Sequence, residues 1–92
     1  MSAAENATRT PLPIQDAIAM AKFLADSYAR QTQLGITDKV VGLRPSADLD
    51  SVMAEVRLPQ STQERQSLRL YARVANAAYR YVREFYDILP VQ

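Results

Sequence analysis

Cysteine and histidine are both absent from this 92-residue sequence. Their absence removes disulfides, thiolate nucleophiles, the usual zinc ligands and the side chain best suited to proton transfer near neutral pH. Glycine stands only at Gly35 and Gly42, too few and too scattered for a phosphate-cradling loop. No stretch approaches the roughly 20 apolar residues that span a bilayer. The opening MSAAENATRTPLP has neither a basic start nor an apolar run of signal-peptide length. An excess of one charge is missing too, since 11 Lys and Arg against 10 Asp and Glu leave a net +1. These gaps give the expectation of a cytoplasmic chain without a membrane segment, a cofactor, a bound metal or a small-molecule substrate.

What is present is ordinary globular material. A hydrophobic share of 48% with 23% charged residues can build a core, and the length suits one domain. Only Asp, Glu, Lys and Tyr remain for acid–base work, and they form no recognisable constellation. Asp48 and Asp50, two apart, would point in different directions on a helix, and they lack the glycine and distant glutamate of a calcium loop. The chain is expected to bind rather than catalyse.

Residues 1–12 are small and polar, with Pro11 and Pro13 close together, and read as a flexible tail ahead of one helical domain over 13–92. From Ile14 onward, Ala17, Ile18, Ala21, Leu24, Ala25 and Tyr28 recur at helical spacing until Gly35 offers a left-handed stop, predicting a helix over about 13–34. A second long helix, over about 62–89, starts at a Ser61/Glu64 capping box and ends before Pro90. Its Leu68, Tyr71, Ala75, Ala78, Val82, Phe85 and Leu89 alternate steps of three and four. Alanines at 17, 21 and 25 would face Ala75 and Ala78 in a thin antiparallel seam.

Residues 36–58 admit two templates. Leu49, Val52, Met53 and Val56 fit a short helix capped by Ser46 or Asp48, and Thr37-Asp38 could cap one further turn. The same run alternates as a strand that could pair with Lys39–Arg44. The helical template is preferred because it gathers all four large apolar residues on one face, whereas the strand leaves Met53 on the polar side. The expected fold is therefore all-α: a small helical bundle built on a long antiparallel helix pair with a short intervening helix.

At about 100° per residue, the C-terminal helix has an apolar arc of over 200°, wider than one partner helix can cover. Tyr79, Tyr81, Phe85, Tyr86 and Ile88 crowd one end of it, and Phe23 falls alone in the polar sector of the first helix. These six are the expected partner-binding residues, since exposed apolar patches mark association sites. Arg65, Arg69, Arg73, Arg80 and Arg83 run along the opposite side over roughly 27 Å, a spacing that could track a nucleic-acid backbone or an acidic surface. The weak net charge argues against nucleic acid. The functional expectation is a protein–protein interaction module, as a homodimer or a subunit of a larger assembly. A small nucleic-acid-binding regulator is the alternative, and an accessory subunit of an enzyme complex the third.

Overall fold

A computed structural model describes residues 9–90. Its elements run β1 (Thr10–Pro13), α1 (Ile14–Gln31), a 3-10 turn (Thr37–Lys39), β2 (Val40–Pro45), β3 (Val52–Val56), α2 (Thr62–Phe85) and β4 (Tyr86–Leu89). The expectation of an all-α bundle is corrected: the fold is mixed α/β, two long helices carrying two separate two-stranded sheets. The antiparallel helix pair itself is present. Asp26, late in α1, meets Tyr71, early in α2, and the start of α1 adjoins the end of α2 where β1 pairs with β4.

Local chemistry explains the helix ends. Ser61 Oγ accepts the Glu64 N–H at 3.1 Å, and the Glu64 carboxylate reaches back to the Gln60 N–H at 2.7 Å, so two otherwise orphaned donors are satisfied. That backbone bond, with Lys39 Nζ at 3.5 Å, holds the Glu64 carboxyl below its ordinary value. At the C-terminal end of α1 the Thr32 hydroxyl donates to the Tyr28 carbonyl at 2.7 Å. The helix expected to reach residue 34 stops at Gln31, closed by left-handed Gln33 (φ 57°) with the Leu34 N–H on the Ala29 carbonyl; Gly35 is also left-handed (φ 70°) but lies beyond this stop.

The core is a large-to-small fit. Ala17, Ala21, Ala25 and Ala29 line the inner face of α1 at 0–1% exposure, and the space they leave is filled from α2 by Tyr71 and Tyr79, both at 0%. Ala75, Leu68 and Val82 complete the α2 side, while Ile36, Val40 and Val52 close the cluster from the loop and the hairpin.

The middle of the chain corrects the preferred helix to the rival hairpin. β2 and β3 pair antiparallel from Val40↔Val56 to Pro45↔Val52, with a bulge between Val40 and Gly42. Ser46 and Asp48, read as helix caps, are turn residues. The Ser46 hydroxyl donates to Asp48 Oδ1 at 2.7 Å, the same oxygen accepts the Asp50 N–H at 3.1 Å, and Ser46 Oγ accepts the Ser51 N–H at 3.1 Å. Leu49, the first member of the helical template, sits in this turn with φ 63°, which removes it from any α-helix. Met53 is exposed, as alternation along a strand demands.

The C-terminal helix is also shorter than expected. It stops at Phe85, and Tyr86–Leu89 switch to a strand pairing parallel with β1, Thr10↔Tyr86 through Pro13↔Leu89. Tyr86 and Ile88 are half-buried and Asp87 and Leu89 exposed, a period of two in place of a helical one. Of the tail expected over 1–12, residues 1–8 lie outside the described residues, while Thr10–Leu12 stand in β1. Prolines 11 and 13 have no N–H to give a ladder, so Thr10 and Leu12 are the donors on this edge strand.

The strand β3 of the hairpin is tied to α2 by the Asn76 side chain. Asn76 accepts the Val52 N–H at 2.8 Å and donates to the Val52 carbonyl at 2.9 Å, taking the place that a third strand would occupy. Asn76→Ala would leave both buried groups unpaired, and a loss of about 1–3 kcal/mol is expected. Chemical denaturation checks the stability, and faster amide exchange confined to residues 40–56 distinguishes a loosened hairpin from global weakening.

Candidate functional site

Two surfaces stand out, on opposite flanks of α2. The hairpin covers the flank that carries Asn76 and Arg83. Phe85, nine residues after Asn76, lies about 180° away, and Tyr81 about 140° away. The hairpin does not reach that side: Phe23, Tyr81 and Phe85 are 65%, 62% and 54% exposed, with Met20, Leu24 and Tyr28 also on the surface. Met20 and Leu24 of α1, with Tyr81, Val82 and Phe85 of α2 and Tyr86 of β4, line a groove of about 350 Å³. A second hollow of about 330 Å³, bounded by Ala19, Met20, Phe23 and Leu24, continues it across α1. The Tyr81 and Phe85 rings sit 4.9 Å apart at 55°, a tilted pair that holds both rings at the rim.

The six residues read from sequence as partner-binding are thus divided. Phe23, Tyr81, Phe85 and Tyr86 come together around one continuous apolar surface. Tyr79 points inward: it is fully buried, and its hydroxyl donates to the Leu49 carbonyl at 2.8 Å. Ile88 is half-buried against the core. The wheel misplaced both because it treated residues 62–89 as one helix on one partner, whereas the hairpin turn takes Tyr79 and the strand turns Ile88 inward. Sequence reasoning missed Met20 and Leu24 as surface residues. Alanine holds the centre of the α1 contact, and Leu24 lies about 60° and Met20 about 100° from Ala21, which was the available signal.

The arginine row is divided as well. Arg69, Arg73 and Arg80 line an open groove of about 660 Å³ with Ser51, Ala72 and Asn76, and none of the three has a carboxylate partner among the described residues. Arg83 is engaged elsewhere, pairing with Asp50 at 3.2 Å, donating to the Asp50 carbonyl at 3.1 Å and lying 5.9 Å over the Tyr79 ring. Arg65 is exposed beyond the groove. No carboxylate is among the residues that line the groove.

Beneath the apolar surface, α1 and α2 are joined by a polar tie. The Tyr71 hydroxyl donates to Asp26 Oδ1 at 2.5 Å, and Lys22 Nζ bonds Asp26 Oδ2 at 2.8 Å. Burial pushes the Asp26 carboxyl upward, but the bonds from Lys22 and Tyr71 and the pull of Lys22 and Arg30 outweigh it and leave the group below its ordinary 3.8. Burial, then the bond to the Asp26 anion, raises the Tyr71 hydroxyl well above its ordinary 10.0. Burial raises Tyr79 too, with Arg83 opposing and Asp50 adding to the rise.

Among the described residues no group of three or more carboxylates could hold a metal ion, and no helix is long and apolar enough to cross a membrane. Compared with protein-family models, with characterised proteins and with solved structures, the chain matches none.

The tie has a pH signature. The stability that ionised Asp26 contributes is present above about pH 4 and is lost as pH falls through its lowered pKa. The stability that the neutral tyrosines contribute is full below about pH 10 and is lost as pH climbs toward their raised values. Thermal melts between those limits should show a plateau with a fall on either side. Tyr71→Phe should lower the plateau by about 2 kcal/mol and flatten both falls, leaving the alkaline remainder that belongs to Tyr79.

Proposed function

We propose that this chain is a non-enzymatic protein-association module that docks a protein partner on the apolar surface formed by Phe23, Tyr81 and Phe85 with Met20 and Leu24. The observation that carries the reading is the exposure of three aromatic rings around two hollows, one on α1 and one between α1 and α2, that share Met20 and Leu24 in their walls. Isolated surface aromatics are ordinary, but a continuous apolar patch marks an association site. Burying three such side chains at about 1.5–3 kcal/mol each gives a gross gain of about 5–9 kcal/mol before the cost of association. An accessory subunit of an enzyme complex would use the same surface.

A second reading rests on the unpaired Arg69, Arg73 and Arg80, which present three cations to one groove and fit the backbone of a nucleic acid. Arg65 and Arg83, part of the stripe read from sequence, lie outside that groove.

Tyr81→Glu combined with Phe85→Glu separates the two. A tagged full chain isolated gently from its own cells should travel in a complex heavier than one chain, and the double variant should travel as the free chain with unchanged circular dichroism. A wild-type chain already travelling alone would count against the association reading. For the second reading, anisotropy titrations of a labelled single-stranded oligonucleotide at several salt concentrations should give a log–log slope of about −2 for three neutralised phosphates, reduced by nearly 1 in Arg73→Ala. An absence of binding at low salt removes it.

A further inference from the structure

The outward face of α1 has a symmetry that none of the foregoing uses. Asp16, Ala19, Phe23, Ser27 and Arg30 follow one another in steps of three, four, four and three, a sequence that reads the same from either end with Phe23 at its centre. At 100° per residue all five fall within a sector of about 80°, on the side of the helix away from the buried Ala17, Ala21 and Ala25. An antiparallel copy of the same helix, related by a two-fold axis through Phe23, meets this stripe in perfect register. Phe23 then faces its own equivalent, Ala19 faces Ser27, and Asp16 faces Arg30, the last two contacts each occurring twice.

The chemistry fits that register. Ala19 and Ser27 are small enough to let two helix backbones approach, and the hollow bordered by Ala19, Met20, Phe23 and Leu24 is open to receive a ring. Asp16 and Arg30 have no ion-pair partner within the chain among the described residues, and Arg30 makes only a long 3.5 Å bond to Ser27 Oγ. Lys22 and Asp26 lie off the stripe and satisfy each other. The stripe therefore presents one negative end, one positive end and an apolar middle, which is the pattern an isologous contact needs and which a foreign partner would have to mirror by accident.

We infer that the partner is a second copy of this chain, packed α1 to α1 in antiparallel register about Phe23, with Asp16 of each copy paired to Arg30 of the other. The inference rests on the association reading above and names its partner. The two helix layers then face one another, with the hairpins on the outside, and Met20 and Leu24 extend the contact toward Tyr81 and Phe85.

The test is sedimentation of the purified full chain over a dilution series. Wild type should reach twice the mass of one chain, and Phe23→Glu should remain a monomer. Asp16→Arg alone and Arg30→Asp alone should each weaken the dimer by about tenfold or more, because each replaces two attractive contacts with two repulsive ones. The double exchange, Asp16→Arg with Arg30→Asp, should restore the dimer to within a few-fold of wild type. Restoration cannot come from helix stability: an Arg in the first turn and an Asp in the last both oppose the helix macrodipole, so the double variant carries both penalties. If a single exchange fails to fold, Asp16→Asn and Arg30→Gln remove the attraction without adding repulsion, and each should weaken the dimer several-fold; neutral variants as tight as wild type overturn the inference. A chain that is monomeric throughout, or a double exchange no tighter than the singles, overturns the inference. If the purified chain is monomeric while the cell-derived complex is still lost with Tyr81→Glu and Phe85→Glu, only the second copy is wrong and the association reading stands.

Discussion

The structure depends on the meeting of a bare helix face with two rings. Where α1 has nothing beyond a Cβ at Ala17, Ala21, Ala25 and Ala29, α2 can approach closely, and Tyr71 and Tyr79 occupy the volume that larger α1 side chains would have taken. A phenylalanine would fill the same space, but a tyrosine brings a hydroxyl that must find an acceptor once it leaves water. Tyr71 finds Asp26 on α1, and Tyr79 finds the Leu49 carbonyl in the hairpin turn. The two hydroxyls thus fix the helix pair and the hairpin relative to one another, and no buried side-chain polar atom among the described residues lacks a partner.

That arrangement decides which side of the helix pair is left open. Asn76 and Tyr79 draw the hairpin onto one flank of α2, so the opposite flank, with Tyr81 and Phe85, has α1 and Tyr86 of β4 beside it but no hairpin. A protein domain needs at least two packed layers to shelter its apolar faces. Here the hairpin serves as the second layer on one side, and on the other side Phe23, Tyr81 and Phe85 are left exposed. The arginine groove lies on a separate sector of α2, bordered by Ser51, so the two surfaces do not compete for the same residues.

Both long helices and their antiparallel packing were legible in the sequence from an apolar spacing of three and four sustained over many residues, but the thin seam of alanine on alanine was not the outcome, because Tyr71 and Tyr79 fill the space that the α1 alanines leave. The Ser61 cap was legible for a local reason, since it depends on residues within four positions of itself, whereas the first helix stops earlier than Gly35 suggests, because Gln33 and not Gly35 supplies its left-handed residue. The hairpin was not, because Leu49, Val52, Met53 and Val56 satisfy a helical spacing by coincidence, and the deciding fact is the turn chemistry of Ser46 and Asp48. Those residue types cap helices and close turns equally well. β4 was hidden for a different reason: Phe85 and Leu89 keep the helical spacing, and the partner strand lies at the far end of the chain. At the surface, the wheel places Phe23 outside and puts Tyr81 and Phe85 on an apolar arc too wide for one partner helix, which is where their exposure falls, whereas Tyr79 could be assigned inward only with the hairpin in view.

The pairing of Thr10 with Tyr86 encloses nearly all of the described chain in a single loop. Closing a loop of that length is slow and entropically demanding, whereas each helix and the hairpin need only near neighbours. The order of assembly follows: the local elements and their tyrosine contacts form first, and the short parallel ladder zips up last. The same ladder, with two prolines among its eight residues and only four pairs to break, is the element expected to open first.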